Sequence, residues 1–303
     1  MKTTALIVTF NRLEKLKQCW MATAALPFQH IVVVDNASTD NTQAWLDGIE
    51  DGRLLVLRAD QNNGGAGGFR LGAEFIAEKI DTDWVFMFDD DAYPQAELLV
   101  RFEELVQTNH AASNHAAYCC RVLDTRGALC KMNVPFSKMP KSLLSTLDYI
   151  ARPARYTPSG LEVSEVVTLS FVGAIIRKDV LAANTEFIWS ELFIYYDDLY
   201  FSYRLSQQGY RFRYSPELLF LHDVPPAIGG INPPWKVYYL VRNLLLSRML
   251  FKKNERPYSL GAIVLRIAKY LLSVTSQANK IEYIKYVVRG IVDGISRKNG
   301  KQH

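Results

Sequence analysis

Cysteine is scarce in this chain: Cys19, Cys119, Cys120 and Cys130 are the four among 303 residues, with no CxxC spacing and no Cys/His cluster. That excludes a zinc ribbon and a disulfide framework, and the expectation is reduced thiols in a cytosolic protein. No run reaches the roughly 18 apolar residues of a membrane span. The opening MKTTALIVTF has neither the apolar stretch nor the small-residue cleavage site of a signal peptide, so no secretory leader is expected. The GxGxxG dinucleotide fingerprint and the P-loop are both missing, as is any internal repeat. Without a helix-turn-helix, zinc or RNA-binding motif, no nucleic-acid partner is expected. Against these absences stand 49% hydrophobic and 22% charged residues, the balance of a folded protein with a sizeable core, in one large domain or two small ones.

Acid is missing from one part of the chain. Residues 1–230 carry 21 basic and 28 acidic side chains, whereas residues 231–303 carry 14 and 3, so a front at −7 precedes a tail at +11. Such asymmetry points the tail at something anionic. Ile284, Val287, Val288, Ile291, Val292 and Ile295 recur at helical spacing with Lys280, Lys285, Arg289 and Asp293 between them. A basic amphipathic helix of this kind fits an anionic membrane surface, or packs on the body and turns its charges to water. Residues 235–250, WKVYYLVRNLLLSRML, are helical in pattern too.

The front of the chain alternates apolar runs with helical stretches. ALIVT (Ala5 to Thr9), IVVVD (Ile31 to Asp35), Arg53 to Leu57 and WVFMF (Trp84 to Phe88) read as strands, with helices over Arg12 to Ala25 and Gly72 to Lys79. Fully apolar strands separated by helices predict an α/β fold with a Rossmann-like, mostly parallel central sheet covered on both faces. Beyond residue 116 the alternation weakens. Residues 131–160 read as a mobile loop with helical signal only over Ser142 to Ile150; Val166 to Ile176 resumes a strand pattern, and Leu199 to Gln208 a helix. The expected organisation is an α/β domain over 1–230, with halves 1–115 and 116–230, followed by a helical tail over 231–303.

Polar residues collect where the strands end. Thr9, Asn11, Asp35, Asn36 and Asp89 to Asp91 would line one crevice, because open α/β sheets bind ligands at the carboxyl ends of their strands. Asp89, Asp90 and Asp91 follow a buried strand, and their mutual repulsion calls for a neutralising cation. Residues 89 and 91 point the same way in an extended chain, so they are the paired metal ligands we select, while the competing reading is an acidic turn and helix cap. Asn62, Asn63, Gly64, Gly65, Gly67 and Gly68 form a glycine-rich turn whose amides can approach an anionic or flat ligand closely, or a plain flexible turn. Asp197 and Asp198 stand ahead of a helix, as caps or as a general base, and His222 is a lone histidine after an apolar stretch.

Taken in order, TFNR (9–12), VVVDNASTDNT (32–42), NNGGAGGF (62–69), FDDDA (88–92), YYDDLYFSYRL (195–205), His222 and the YYLVRN segment near Arg242 and Asn243 resemble an inverting family 2 glycosyltransferase. The resemblance covers about residues 4–245 and implies a GT-A fold. It also implies that Asp89 and Asp91 are a DxD pair holding Mn²⁺ or Mg²⁺ against a donor diphosphate, with His222 a third ligand. Thr9, Arg12, Asp35, Asn36 and Asn62 match positions that hold the nucleotide, and Asp198 matches the general base. Members often carry Glu-Asp with a further Asp two residues on; here Asp197-Asp198-Leu199-Tyr200 leaves both aspartates as candidate bases.

Within the family these motifs look most like the galactofuranosyl- and rhamnosyltransferase branch of bacterial surface-polysaccharide assembly. The implied donor is UDP-galactofuranose or dTDP-rhamnose, with the preference on the former. The implied acceptor is a polyprenyl-diphosphate-linked glycan, met at the inner face of the membrane by the basic tail. Self-association is left open. The alternatives are a nucleotidyltransferase and a non-catalytic nucleotide-sugar-binding assembly subunit.

Overall fold

The computed structural model describes residues 1–108, 115–224 and 231–302. Its first half follows the hydrophobic pattern closely. Strands β1 (Thr3–Thr9), β2 (His30–Asp35), β3 (Leu54–Arg58) and β4 (Trp84–Asp89) are parallel neighbours in the order β3-β2-β1-β4. Their side chains alternate between two cores: Ala5 and Ile7 pack with Leu16 and Cys19 of α1 (Leu13–Ala24), whereas Leu6 and Val8 face Phe69, Ala73 and Ile76 of α3 (Gly64–Lys79). Both faces of β1, β2 and β4 are therefore dry, which is why Ala5 to Val8, Ile31 to Val34 and Trp84 to Phe88 are uninterrupted apolar runs. A short α2 (Thr42–Asp47) lies between β2 and β3.

Beyond β4 the sheet turns mixed. The strand β5 (Ala92–Pro94) and helix α4 (Leu98–Thr108) precede β6 (Ala117–Asp124), and α5 (Leu143–Ala151) occupies the segment where Ser142 to Ile150 carried the helical signal. Strands β7 (Ser164–Val166) and β8 (Ala174–Arg177), helices α6 (Lys178–Ala182) and α7 (Asp197–Gln207), and β9 (Phe212–His222) complete a nine-stranded sheet among the described residues. β8 runs antiparallel to both β4 and β6, while β9 is parallel to β6. The strand pattern over Val166 to Ile176, interrupted at Gly173 in the sequence, is two strands, β7 and β8. Gly173, at φ +79, turns the chain between them, and a Cβ there would crowd Cys120 and Val122.

Helices α8 (Trp235–Leu250), α9 (Leu260–Leu272) and α10 (Lys280–Ile295) follow, and none of the described helices is long and apolar enough to cross a membrane. The packed face of α10 corrects the sequence reading. Tyr283, Val287, Gly290 and Gly294 are buried against α8, where the two glycines admit the backbone of Tyr238 and the side chain of Leu245. Ile281, Ile284, Val288, Val292 and Ile295 are left as an exposed apolar ridge. All four cysteines are buried and free.

Candidate active site

The parallel register brings the polar strand ends together, since Thr9 lies opposite Asp35 and Val8 opposite Asp89. Asp90 and Asp91 form the turn between β4 and β5. Thr9 Oγ1 donates to Asp90 at 2.8 Å, and Arg12 Nη1 reaches Asp90 Oδ1 at 3.2 Å and Asp91 Oδ2 at 2.7 Å. His222, at the end of β9, places Nε2 3.3 Å from Asp91 Oδ1 and Nδ1 2.9 Å from Asn133 Oδ1. A cavity of about 370 Å³ opens here, lined by Arg12, Lys15, Asp91 and Asp223.

These contacts sort the three aspartates. Burial pushes Asp89 up to about 7, helped by the charges of Asp91 and Asp90, and burial pushes Asp90 up to about 6 against the pull of Arg12. For Asp91 burial acts in the same direction but is outweighed by the His222 hydrogen bond and by Arg12, so its carboxyl stays below the ordinary range. Burial would lower His222, yet the bond to Asp91 and the neighbouring negative charge raise it to about 9. Asp91 is thus ionised and paired, whereas Asp89 is a carboxylate short of a positive neighbour.

That shortage bears on a metal. Among the described residues no three His, Cys, Asp or Glu side chains converge as a ready cage. His222, expected as a third ligand, is instead held on Asp91 and Asn133. Two carboxylates suffice when a ligand's phosphates complete the shell of a divalent cation; of the expected pair, Asp89 is short of a positive neighbour, whereas the two oxygens of Asp91 lie against Arg12 and His222.

The nucleotide-holding candidates separate into ligand-facing and scaffolding residues. Asp35 is fully buried; its Oδ1 accepts from the Ser38 amide at 2.9 Å, while Oδ2 has no partner in the protein. Such an atom needs a donor from elsewhere. Asn11 is structural by its contacts: its amide donates to Ser38 Oγ at 3.0 Å and its Oδ1 accepts from Thr39 at 2.6 Å, tying the loop after β1 to the loop after β2. Asn36 donates to Asn62 Oδ1 and to the Gly64 carbonyl and accepts from the Asn63 amide, so it sets the turn that precedes α3.

The glycine segment is not a loop but the first turn of α3 itself. Gly64 has φ +71, and a Cβ there would stand 2.0 Å from the Phe193 carbonyl oxygen. Gly67 lies against Asn63, and Gly68 against Val8. Only Gly65 of the four faces open space, so the glycines serve close packing of the helix on β1 and on the chain ahead of α7.

That chain carries the two candidate bases. Phe193, Tyr195 and Tyr196 all have φ near +66, at 67°, 65° and 67°, a strained run for residues with side chains. Burial, then Asp198 and also Asp89, pushes Asp197 well above the ordinary carboxylate range, so this residue lies within reach of the charge at the end of β4. Asp198 is also raised by burial, but the Leu199 amide at 2.6 Å, the Ser170 hydroxyl and the Phe171 amide oppose the shift. The structure therefore brings the acidic turn and the Asp197–Asp198 pair into one site.

Sequence reasoning missed what holds the strained run. Arg242 and Asn243 of α8 are fully buried. Asn243 Nδ2 lies 3.0 Å, 2.8 Å and 3.0 Å from the carbonyls of Leu192, Ile194 and Tyr195, and Arg242 donates to those of Glu191, Leu192 and Gly300. The available signal was the YYLVRN segment, which sets a charged residue and an amide among the apolar residues of α8. Lys236, whose ammonium is disfavoured by burial and by Arg12, and Lys15, paired with Asp223, also belong to the mouth of the site.

The model of the family described as "Glycosyl transferase family 2" matches residues 4–182. The chain belongs to this family. Two relatives align along nearly the whole glycosyltransferase: a dTDP-rhamnosyl transferase, RfbF of Shigella flexneri, is 26% identical over 96% of this chain and 94% of that one. A low-salt glycan biosynthesis hexosyltransferase, Agl10 of Haloferax volcanii, is 20% identical over 98% and 92%. The crystal structure of S. aureus TarS 1-349 in complex with UDP-GlcNAc shares the fold, with a TM-score of 0.53 at 15% identity over 97% of this chain and 89% of that chain. The glycosyltransferase thus has the expected GT-A architecture.

Proposed function

We propose that the enzyme is an inverting hexosyltransferase whose donor is a pyrimidine nucleoside-diphosphate sugar. The observation that carries this reading is the meeting of the acidic turn with the Asp197–Asp198 pair, which sets a leaving-group site and a base on one crevice. Asp35 Oδ2 is the acceptor for a base or ribose donor. Arg12, Lys15 and Lys236 supply positive charge to the departing diphosphate. Mn²⁺ or Mg²⁺, when bound by Asp89 and Asp91, would supply Lewis-acid stabilisation of the same charge.

The acceptor hydroxyl attacks the anomeric carbon as the bond to the diphosphate oxygen breaks, and its proton passes to a carboxylate. Asp198 is the base in this proposal: amide and hydroxyl donors oppose the rise that burial gives its carboxyl, while Asp197 is pushed higher and takes the shared proton of the buried pair. A single displacement inverts the centre and needs no covalent intermediate, unlike a retaining double displacement.

The likeness to RfbF supports dTDP-rhamnose as the sugar donor, ahead of the UDP-galactofuranose favoured by the motifs alone. The acceptor class remains a polyprenyl-diphosphate-linked glycan of surface-polysaccharide synthesis. The exposed ridge of α10, beside Lys285 and Arg289, supports peripheral attachment to the cytoplasmic face of an anionic membrane. Thermal shifts with dTDP, dTDP-rhamnose, UDP and UDP-galactofuranose, with and without Mn²⁺, test the donor site, because a ligand that binds only the native state stabilises it. Mn²⁺-dependent stabilisation by the dTDP pair is the expected result. A response confined to the UDP pair would restore galactofuranose, and no response to any of the four would overturn the proposal.

A further inference from the structure

A second cavity, of about 330 Å³, lies away from the acidic turn, between the end of α8 and the starts of α5 and α9. Its wall holds Lys141, Arg248, Lys253 and Arg256 together with the hydroxyls of Ser142 and Ser259, and no carboxylate. Among the described residues none of these four cations forms a salt bridge; the adjacent Glu255 is engaged by Arg204. Arg256 spends one nitrogen on the Arg248 carbonyl at 3.1 Å, while its Nε is buried without a partner. Four like charges around one hollow repel each other unless an anion enters. A planar guanidinium pair with two ammonium groups matches phosphate oxygens.

The surroundings of this cavity are apolar and exposed. Helices α5 and α9 pack together, with Gly261 against Leu143, and they leave Leu144 78% and Val264 58% exposed next to Leu147, Ile150 and Leu260. An apolar patch of this kind, continuous with a cationic hollow, suits a ligand with a charged head and a hydrocarbon tail. Tyr258, in the cavity wall, lies within reach of the charge of Asp198 and under the guanidinium of Arg266 at 4.3 Å. Lys141, also in the cavity wall, lies 5.1 Å over the ring of Tyr203 in α7, so the cavity borders the helix that begins with Asp197 and Asp198.

We infer that this cavity binds the phosphate or diphosphate group of an amphiphile, whose chain lies on the exposed faces of α5 and α9. Use of the site by the acceptor rests on the transferase reading above; the phosphate site itself does not. The test measures binding of farnesyl diphosphate, of inorganic pyrophosphate, and of phosphatidylcholine vesicles with and without phosphatidic acid, at fixed ionic strength. The variants are Lys141→Ala/Lys253→Ala, which changes only exposed side chains, and Arg256→Ala. Farnesyl diphosphate should bind more tightly than pyrophosphate, and both variants should weaken it by about tenfold. Farnesyl diphosphate bound without recruitment to phosphatidic acid identifies an acceptor site; recruitment to phosphatidic acid with the same loss in the variants identifies a membrane headgroup site. Wild-type affinity in both variants, or no binding of any probe, overturns the inference. A protein that binds farnesyl diphosphate here yet responds to no nucleotide would sink the donor reading and leave this site standing.

Discussion

Replacing Asn243 by alanine should unhook the loop that carries the proposed base. The Ile194 and Tyr195 carbonyls and the Arg242 Nε lose the partner that Asn243 gives them, at 2.8 Å, 3.0 Å and 2.9 Å, whereas Leu192 keeps its bond from Arg242 at 2.8 Å. Two buried carbonyls and one charged donor left unpaired cost about 3–5 kcal/mol, less whatever entering water restores. The left-handed conformations of Tyr195 and Tyr196 lose their restraint, so part of the strain relaxes and Asp197 and Asp198 swing out of register. Urea denaturation should show a fall in the midpoint at unchanged slope. Transfer assays at saturating donor should show kcat reduced far more than nucleotide affinity, because Asp35 and the acidic turn stand on other elements. Asn243→Asp, which aims a carboxylate at carbonyl oxygens, should be at least as damaging. A loss below about 1 kcal/mol together with unchanged kcat would refute the account of this residue.

Asp198→Asn should retain nucleotide binding and lose transfer by about 10²–10⁴-fold, with Asp197→Asn less affected; the reverse order in a steady-state assay would move the base to Asp197. Gly64→Ala should destabilise by at least about 2 kcal/mol, since φ +71 and the 2.0 Å approach to Phe193 leave no room for a methyl group. Stability should fall as the pH rises from about 6.5 to about 9: His222 is raised to about 9 in the fold, so it binds a proton there that the unfolded chain releases earlier. The loss is on the order of 2–3 kcal/mol and should shrink in Asp91→Asn, where only the smaller contributions of Cys130 and Asp89 remain; a thermal-melting profile that is flat or rises over this window contradicts the ion pair.

The nucleotide half of the fold was legible because β1, β2 and β4 are dry on both faces and end abruptly in Thr9, Asp35 and Asp89. Strand ends in parallel register converge, so naming the strands named most of the crevice. The glycine segment misled because glycine disfavours helix interiors, and the reasons for it lie far away in sequence, at Val8 and Phe193. For α10 the hydrophobic period marked Ile284, Val288 and Val292, but backbone approach to α8 selected the small residues Gly290 and Gly294 instead. The distinction between Asp197 and Asp198 was out of reach of any spacing rule. It depends on Ser170 and Phe171, which meet Asp198 only after the sheet has formed.

The bonds that join Arg242 to the Gly300 carbonyl, and the Gly300 amide to Glu191 at 2.7 Å, carry a consequence for biosynthesis. Domains assemble from the N-terminal side as they emerge during translation, so the acidic turn and its arginine can form while the later helices are still inside the ribosome. The loop ahead of α7 can take its bonds from Asn243 once α8 has formed, whereas the bonds through Gly300 must wait until residue 300 has emerged. A nascent chain would thus form its acidic turn well before the segment from Glu191 to Tyr196 is fully held.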